Sequence, residues 1–134
     1  MIPSTNTILS TELEVETQPS ENYKMNIPTN NISGYCDGIE AMVQVIYKIL
    51  NTERYEYIIY SWDYGIELID LIGEPVTYVC PELQRRIEEA LIQDDRILSV
   101  DSFEFDTSEK RAVKVTFTVH TIFGDIESEK VVNY

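Results

Sequence analysis

Carboxylates are the residue type this sequence could most readily put to chemical use. It holds 24 Asp and Glu against 10 Lys and Arg, one His and two Cys. Glu88-Glu89 and Asp94-Asp95 could in principle supply the acid and nucleophile of a glycosidase, which needs two carboxyls at a set separation with one raised in pKa. In so acidic a chain, adjacent acids also arise by chance. Arg85 stands four residues before Glu89, the spacing of a solvated, ion-paired helix face, and that reading is preferred. His120 lies mid-strand on a face shared with Thr116 and Thr118. It has no neighbouring nucleophile motif and is read as solvent-facing, without a catalytic role. Cys36 and Cys80 form no CxxC and stand beside no histidine, so both read as reduced, buried, small apolar side chains. The five glycines are scattered and build no phosphate-binding loop. No DxDxDG calcium loop is present. The expectation is therefore no cofactor, no metal and no enzyme activity.

The charge narrows the partners. A formal net charge of −14 and a pI near 4.3 oppose nucleic acid, which needs a basic face, and also an anionic membrane surface. No segment is apolar enough to span a bilayer, and Met1 to Ser10 lacks a basic, apolar leader, so residence in the bacterial cytoplasm is expected unless an assembly carries the protein elsewhere. Tyrosine is abundant, with nine copies. Tyr55, Tyr57, Tyr60, Trp62 and Tyr64 crowd together, and rings with a polar tip suit a protein interface and a half-buried strand equally well.

At 134 residues one domain is expected, with 1 to 20 as a polar arm and 21 to 134 as the folded part. Asn22 to Ile27 and Asn31 to Tyr35 flank the turn-rich Pro28-Thr29-Asn30-Asn31 and predict a hairpin. Asp37 and Glu40 resemble a capping box ahead of a helix with Ile39, Met42, Val43, Ile46, Ile49 and Leu50 at steps of three and four. Asn51 would close it in a left-handed conformation. Tyr55 to Tyr60 reads as a covered strand and Ile66 to Ile72 as a short helix ending at Gly73. A second main helix is placed from Pro81, with Leu83, Ile87, Ala90 and Leu91 inside and Arg85, Arg86, Glu88 and Glu89 outside. Ile97 to Phe105, Val113 to His120 and a last strand through Val131 and Val132 alternate with period two, the last pair joined by a turn at Phe123-Gly124-Asp125-Ile126. Two main helices and a short one, an N-terminal hairpin and a C-terminal three-stranded antiparallel meander define an α+β class.

Three stretches carry a further likeness: the run from Glu40 to Tyr55 ending in "ILNTERY", the "WDYG" of Trp62 to Gly65, and the "ELQRRIEEAL" helix followed by Asp94-Asp95-Arg96. Over roughly Tyr23 to Val132 the chain resembles the XkdS-like baseplate proteins of contractile phage tails and phage-derived bacteriocins. These are relatives of the small gene-25-type wedge subunit once labelled a tail lysozyme. The resemblance implies a structural subunit of a six-fold assembly that joins the wedge to the first sheath ring. Its partners would be larger wedge proteins, the sheath subunit and a hub or LysM-type tail protein. The family's Glu-Pro-Arg signature corresponds to Asp94, Asp95 and Arg96, with Asp in place of both Glu and Pro. The resemblance assigns Arg96 to the wedge core and the last strand, with Glu127, Glu129, Val131, Val132 and Tyr134, to the sheath. Tyr60, Trp62 and Tyr64 join them as candidate interface residues. The old label keeps a peptidoglycan-cleaving glycosidase as the alternative.

Overall fold

A computed structural model describes residues 20–134. The element order is β1 (Asn22–Asn26), β2 (Asn31–Cys36), α1 (Gly38–Leu50), a 3-10 turn (Ile69–Leu71), α2 (Val76–Ile92), β3 (Ile97–Asp106), β4 (Ala112–Thr121) and β5 (Gly124–Asn133). This is the expected α+β architecture. The strands form two antiparallel sheets, β1-β2 and β3-β4-β5. The polar arm expected at 1 to 20 lies, Ser20 apart, outside the described residues.

Alternation builds the larger sheet. Val113, Val115, Phe117 and Val119 of β4 are buried against the helices, and Lys114, Thr116, Thr118 and His120 point away. Helix α2 contributes Val79, Leu83, Ile87, Ala90 and Leu91, and α1 contributes Met42, Ile46, Ile49 and Leu50, to the same core. α2 packs over β3, and α1 lies over β5. The small sheet is held to α1 by Gln44, whose Oε1 accepts from Met25 N at 2.9 Å and whose amide donates to Tyr23 O at 2.6 Å.

Several local expectations are corrected. Residues 55 to 60 form no strand. They make successive turns with Ile58 and Ile59 wholly exposed, because Tyr55 adopts φ +70 and turns the chain out of register with any neighbour. The helix expected from Ile66 shrinks to the 3-10 turn. α2 begins at Val76, not Pro81: Pro75 sets its N-cap, and Pro81 sits in the second turn, where it forgoes one hydrogen bond. Asp37 is the N-cap of α1, accepting from Gly38 N at 2.7 Å, but Glu40 turns to Lys24 at 3.6 Å and completes no box. Asn51 closes α1 at φ −104, not left-handed, its amide donating to Tyr47 O at 2.8 Å. The two residues of the β4–β5 turn are Ile122 and Phe123, two positions before the expected Gly124 and Asp125. Thr121 Oγ1 braces them, accepting from Phe123 N at 3.2 Å and donating to Gly124 O at 2.7 Å. Gly124 follows at φ +132.

Arg86, expected on the outer face of its helix, is 8% exposed. Its guanidinium grips both carboxylate oxygens of Asp70, donates to Glu67 O at 2.9 Å and meets Glu82 at 3.1 Å. It ties the 3-10 turn to α2, which the spacing of charges along the helix did not reveal. Its neighbour Arg85 does lie outside, paired to Glu89 at 3.2 Å.

Candidate functional site: an aromatic loop, an acidic corner and a free strand edge

The loop after α1 is closed at its base by backbone. Ile66 N donates to Thr52 O at 2.9 Å, and Arg54 N donates to Ile66 O at 3.1 Å. Arg54 then folds inside the loop, its side chain reaching Gly65 O at 3.3 Å, Asp63 O at 3.3 Å and Glu89 at 3.0 Å. The arginine of the "NTERY" motif is thus a brace under the loop. Above it the rings are presented outward. Tyr60 stacks on Tyr64 at 4.4 Å, Tyr55 meets Trp62 edge-on at 5.9 Å, and Trp62 is 82% exposed. Tyr55, Tyr57, Ile58, Tyr60 and Trp62 line an open groove of about 270 Å³. Exposed rings and aliphatics in one loop are the composition of a protein contact, and the half-buried strand reading fails here.

The acidic corner after α2 abuts this loop. Asp94 and Gln93 share a cavity of about 190 Å³ with Ser61, Asp63, Tyr64 and Gly65. Burial, with Tyr60 close by, pushes the Tyr64 phenol up. At the corner Arg96 chelates Asp94, Nε to Oδ1 at 2.9 Å and Nη2 to Oδ2 at 2.7 Å, while Arg96 N donates to Oδ1 at 3.0 Å. These bonds hold the Asp94 carboxyl below its usual range. Asp95 beside them is exposed. The corner is thereby rigid, and Arg96 O receives Ile122 N at 3.0 Å, fastening it to the β4–β5 turn. Arg96→Ala should lower stability by about 1 kcal/mol by removing this chelate from a part-buried aspartate. A urea melt checks it; an unchanged midpoint would mean that the chelate is idle in the free subunit.

β5 pairs with β4 in unbroken register from Thr121↔Gly124 to Ala112↔Asn133 and is, among the described residues, the last strand of its sheet. Glu127, Glu129 and Val131 point outward, whereas Val132 is 4% exposed and belongs to the core. Val132 is therefore not offered to a partner of β5: its side chain lies in the core, and by the alternation of the hairpin its N–H and C=O face Val113 of β4. Tyr134 is half-buried and its N–H donates to Arg111 O at 3.0 Å. His120 does face outward, but it is bridged by Asp125 at 2.6 Å from β5 and Asp101 at 2.9 Å from β3, and the two carboxylates raise its pKa. Only cross-strand register brings these three together, so no sequence spacing announced them.

Among the described residues no group of three His, Cys, Asp or Glu is placed to hold a metal ion, and no helix is long and apolar enough to cross a membrane. Cys36 is buried, Cys80 is half-buried, and both thiols are free. Asp70, Glu82, Asp94 and Asp106 are all shifted downward, by arginine or backbone donors, the opposite of what a glycosidase acid needs.

The surface thus combines an exposed aromatic loop, a braced corner and a sheet edge that is open among the described residues. Residues 19–124 match the family described as the contractile injection system sheath initiator, and the chain belongs to that family. It is also 39% identical over 128 residues, 90% of each chain, to the phage-like element PBSX protein XkdS of Bacillus subtilis strain 168. The protein is thus a structural baseplate component of a contractile tail.

Proposed function

We propose that this subunit joins the baseplate wedge to the first sheath ring and templates sheath assembly, without enzymatic activity. The carrying observation is the open edge of β5. Its hairpin closes on the Thr121–Gly124 pair, so alternation directs the N–H and C=O groups of Asp125, Glu127, Glu129 and Val131 away from β4. Such an edge accepts a strand from another chain. Glu127 and Glu129 keep it from pairing at random. The aromatic loop with Tyr60, Trp62 and Tyr64 and the corner of Asp94, Asp95 and Arg96, which adjoin each other, would be the surfaces for the larger wedge proteins and a hub or LysM-type protein. Repetition six times around the tail would set the symmetry of the first sheath ring. The subunit would assemble in the host cytoplasm and remain in the baseplate of the finished particle. The downward shift of Asp94, one of the acids that reading would use, speaks against a peptidoglycan-cleaving glycosidase.

Glu127→Pro tests the edge, because it deletes one outward N–H and leaves the ladder to β4 intact. The expected result is a folded subunit in baseplates and tubes that carry no sheath by electron microscopy, with Glu127→Ala particles fully sheathed. Normal sheath on the proline variant would limit β5 to the subunit's own sheet.

A further inference from the structure

We infer that the strand received by β5 is amphipathic, with apolar side chains at alternate positions seated against α1 and a basic side chain on the opposite face. This rests on the reading of β5 as a docking edge and adds the chemistry of the segment that docks.

The axis of α1 follows β5. At one end Ile39 Cδ1 lies 3.4 Å from the place a Cβ on Gly124 would occupy, and at the other Lys130 Nζ donates to Asn51 Oδ1 at 2.9 Å. Ile39, Val43 and Tyr47 recur every four residues and so form one stripe along the helix. They are 43%, 49% and 40% exposed, beside the buried Met42, Ile46 and Leu50. Three large apolar side chains in line on a surface helix are unusual unless something covers them. Ile39 stands by the first residue of β5, which places this flank of α1 on the side of the sheet edge, away from α2. A strand added beyond β5 lies about 4.8 Å further out. Its helix-facing side chains would then lie beneath that stripe, continuing the layer that Ile126 and Val132 begin.

The other face sets the charge. There β5 presents Asp125, Glu127, Glu129 and Val131, all exposed. His120 engages Asp125 and Lys114 meets Glu129 at 2.9 Å, while Glu127 has no ionic partner among the described residues. Cross-strand neighbours interact directly, so a lysine or arginine opposite Glu127 completes the row. The chain's net charge of −14 favours the same sign of partner.

The probe is a synthetic peptide of about nine residues, alternating valine with lysine or threonine, titrated into the 15N-labelled full chain and compared with a scramble of equal composition. The alternating peptide should shift the amides of Asp125 to Val131 and bind at least ~10-fold more tightly than the scramble. Val43→Glu, which the wild-type exposure of Val43 lets fold, should weaken it ~10-fold, and Glu127→Lys should transfer the preference to a peptide with glutamate in place of lysine. If the β5 amides shift but Val43→Glu and the scramble bind like the parent, the amphipathic rule is overturned and the docking edge stands. If neither peptide perturbs β5 while Glu127→Pro particles are normally sheathed, the docking edge itself is overturned, and the inference with it.

Discussion

Replacing Gly65 by alanine should destabilise the subunit by about 3 kcal/mol, more than expected of any surface substitution described above. Gly65 adopts φ +91. A Cβ there would stand 2.5 Å from Thr52 O and 3.2 Å from Arg54 N. Both are backbone atoms, and both belong to the bridge that closes the aromatic loop, so the clash cannot be relieved by rotating a side chain. Moving Thr52 O away breaks the bond that Ile66 N makes to it, and Ile66 is 1% exposed in the core. Strain and lost packing therefore add. A thermal melt of Gly65→Ala should fall by roughly 10 °C, with Gly73→Ala, where no atom lies within 4 Å of the added Cβ, losing less despite φ +89. Equal shifts for the two would mean that left-handed strain alone is at work and that the close approach carries no weight.

The same glycine shows what the sequence could and could not convey. The period-two run of β4 and the three-four spacing of α1 were legible because each residue's environment repeats along its own element. Tyr55 to Tyr60 reads as a strand because its alternating residues satisfy a strand pattern, yet no partner strand lies beside it among the described residues; the loop's shape is set by Gly65 crossing Thr52 and by Arg54 reaching Asp63 O, Gly65 O and Glu89. Pro81 reads as the start of α2 because proline is a common first residue of a helix, but the helix begins at Val76 behind the N-cap Pro75, and Pro81 tolerates its lost bond in the second turn. Candidate site residues divide along the same line. The exposed Tyr60, Trp62 and Glu127 follow from type and local pattern. The chelate of Arg96 with Asp94 is a local pair two residues apart, whereas the His120 bridge depends on cross-strand register, which one sequence does not encode locally.

Arg86→Met should cost about 2 kcal/mol at neutral pH, with Arg85→Met close to wild type. The two arginines are adjacent in sequence and opposite in environment. Arg85 is well exposed and pairs only with Glu82 and Glu89 across the helix surface, where ion pairs contribute little. Arg86 is buried and serves Asp70, Glu82 and Glu67 O at once. Methionine fills most of its volume, so the loss is polar: the Glu67 carbonyl loses its donor and the 3-10 turn its tie to α2. Asp70 is more than half exposed and regains water, which holds the loss below that of a fully buried pair. Arg86 holds the Asp70 carboxyl below its ordinary value. A depressed folded pKa means that this stabilisation is present above the unfolded carboxylate pKa and is lost as pH falls through the folded one. The gap between wild type and Arg86→Met should accordingly be full at pH 7 and narrow as pH drops below about 4. Denaturant titrations at several pH values read it directly. A gap that stays constant into acid would assign the loss to packing and to the Glu67 carbonyl, leaving the Asp70 pair without a share in tying the 3-10 turn to α2.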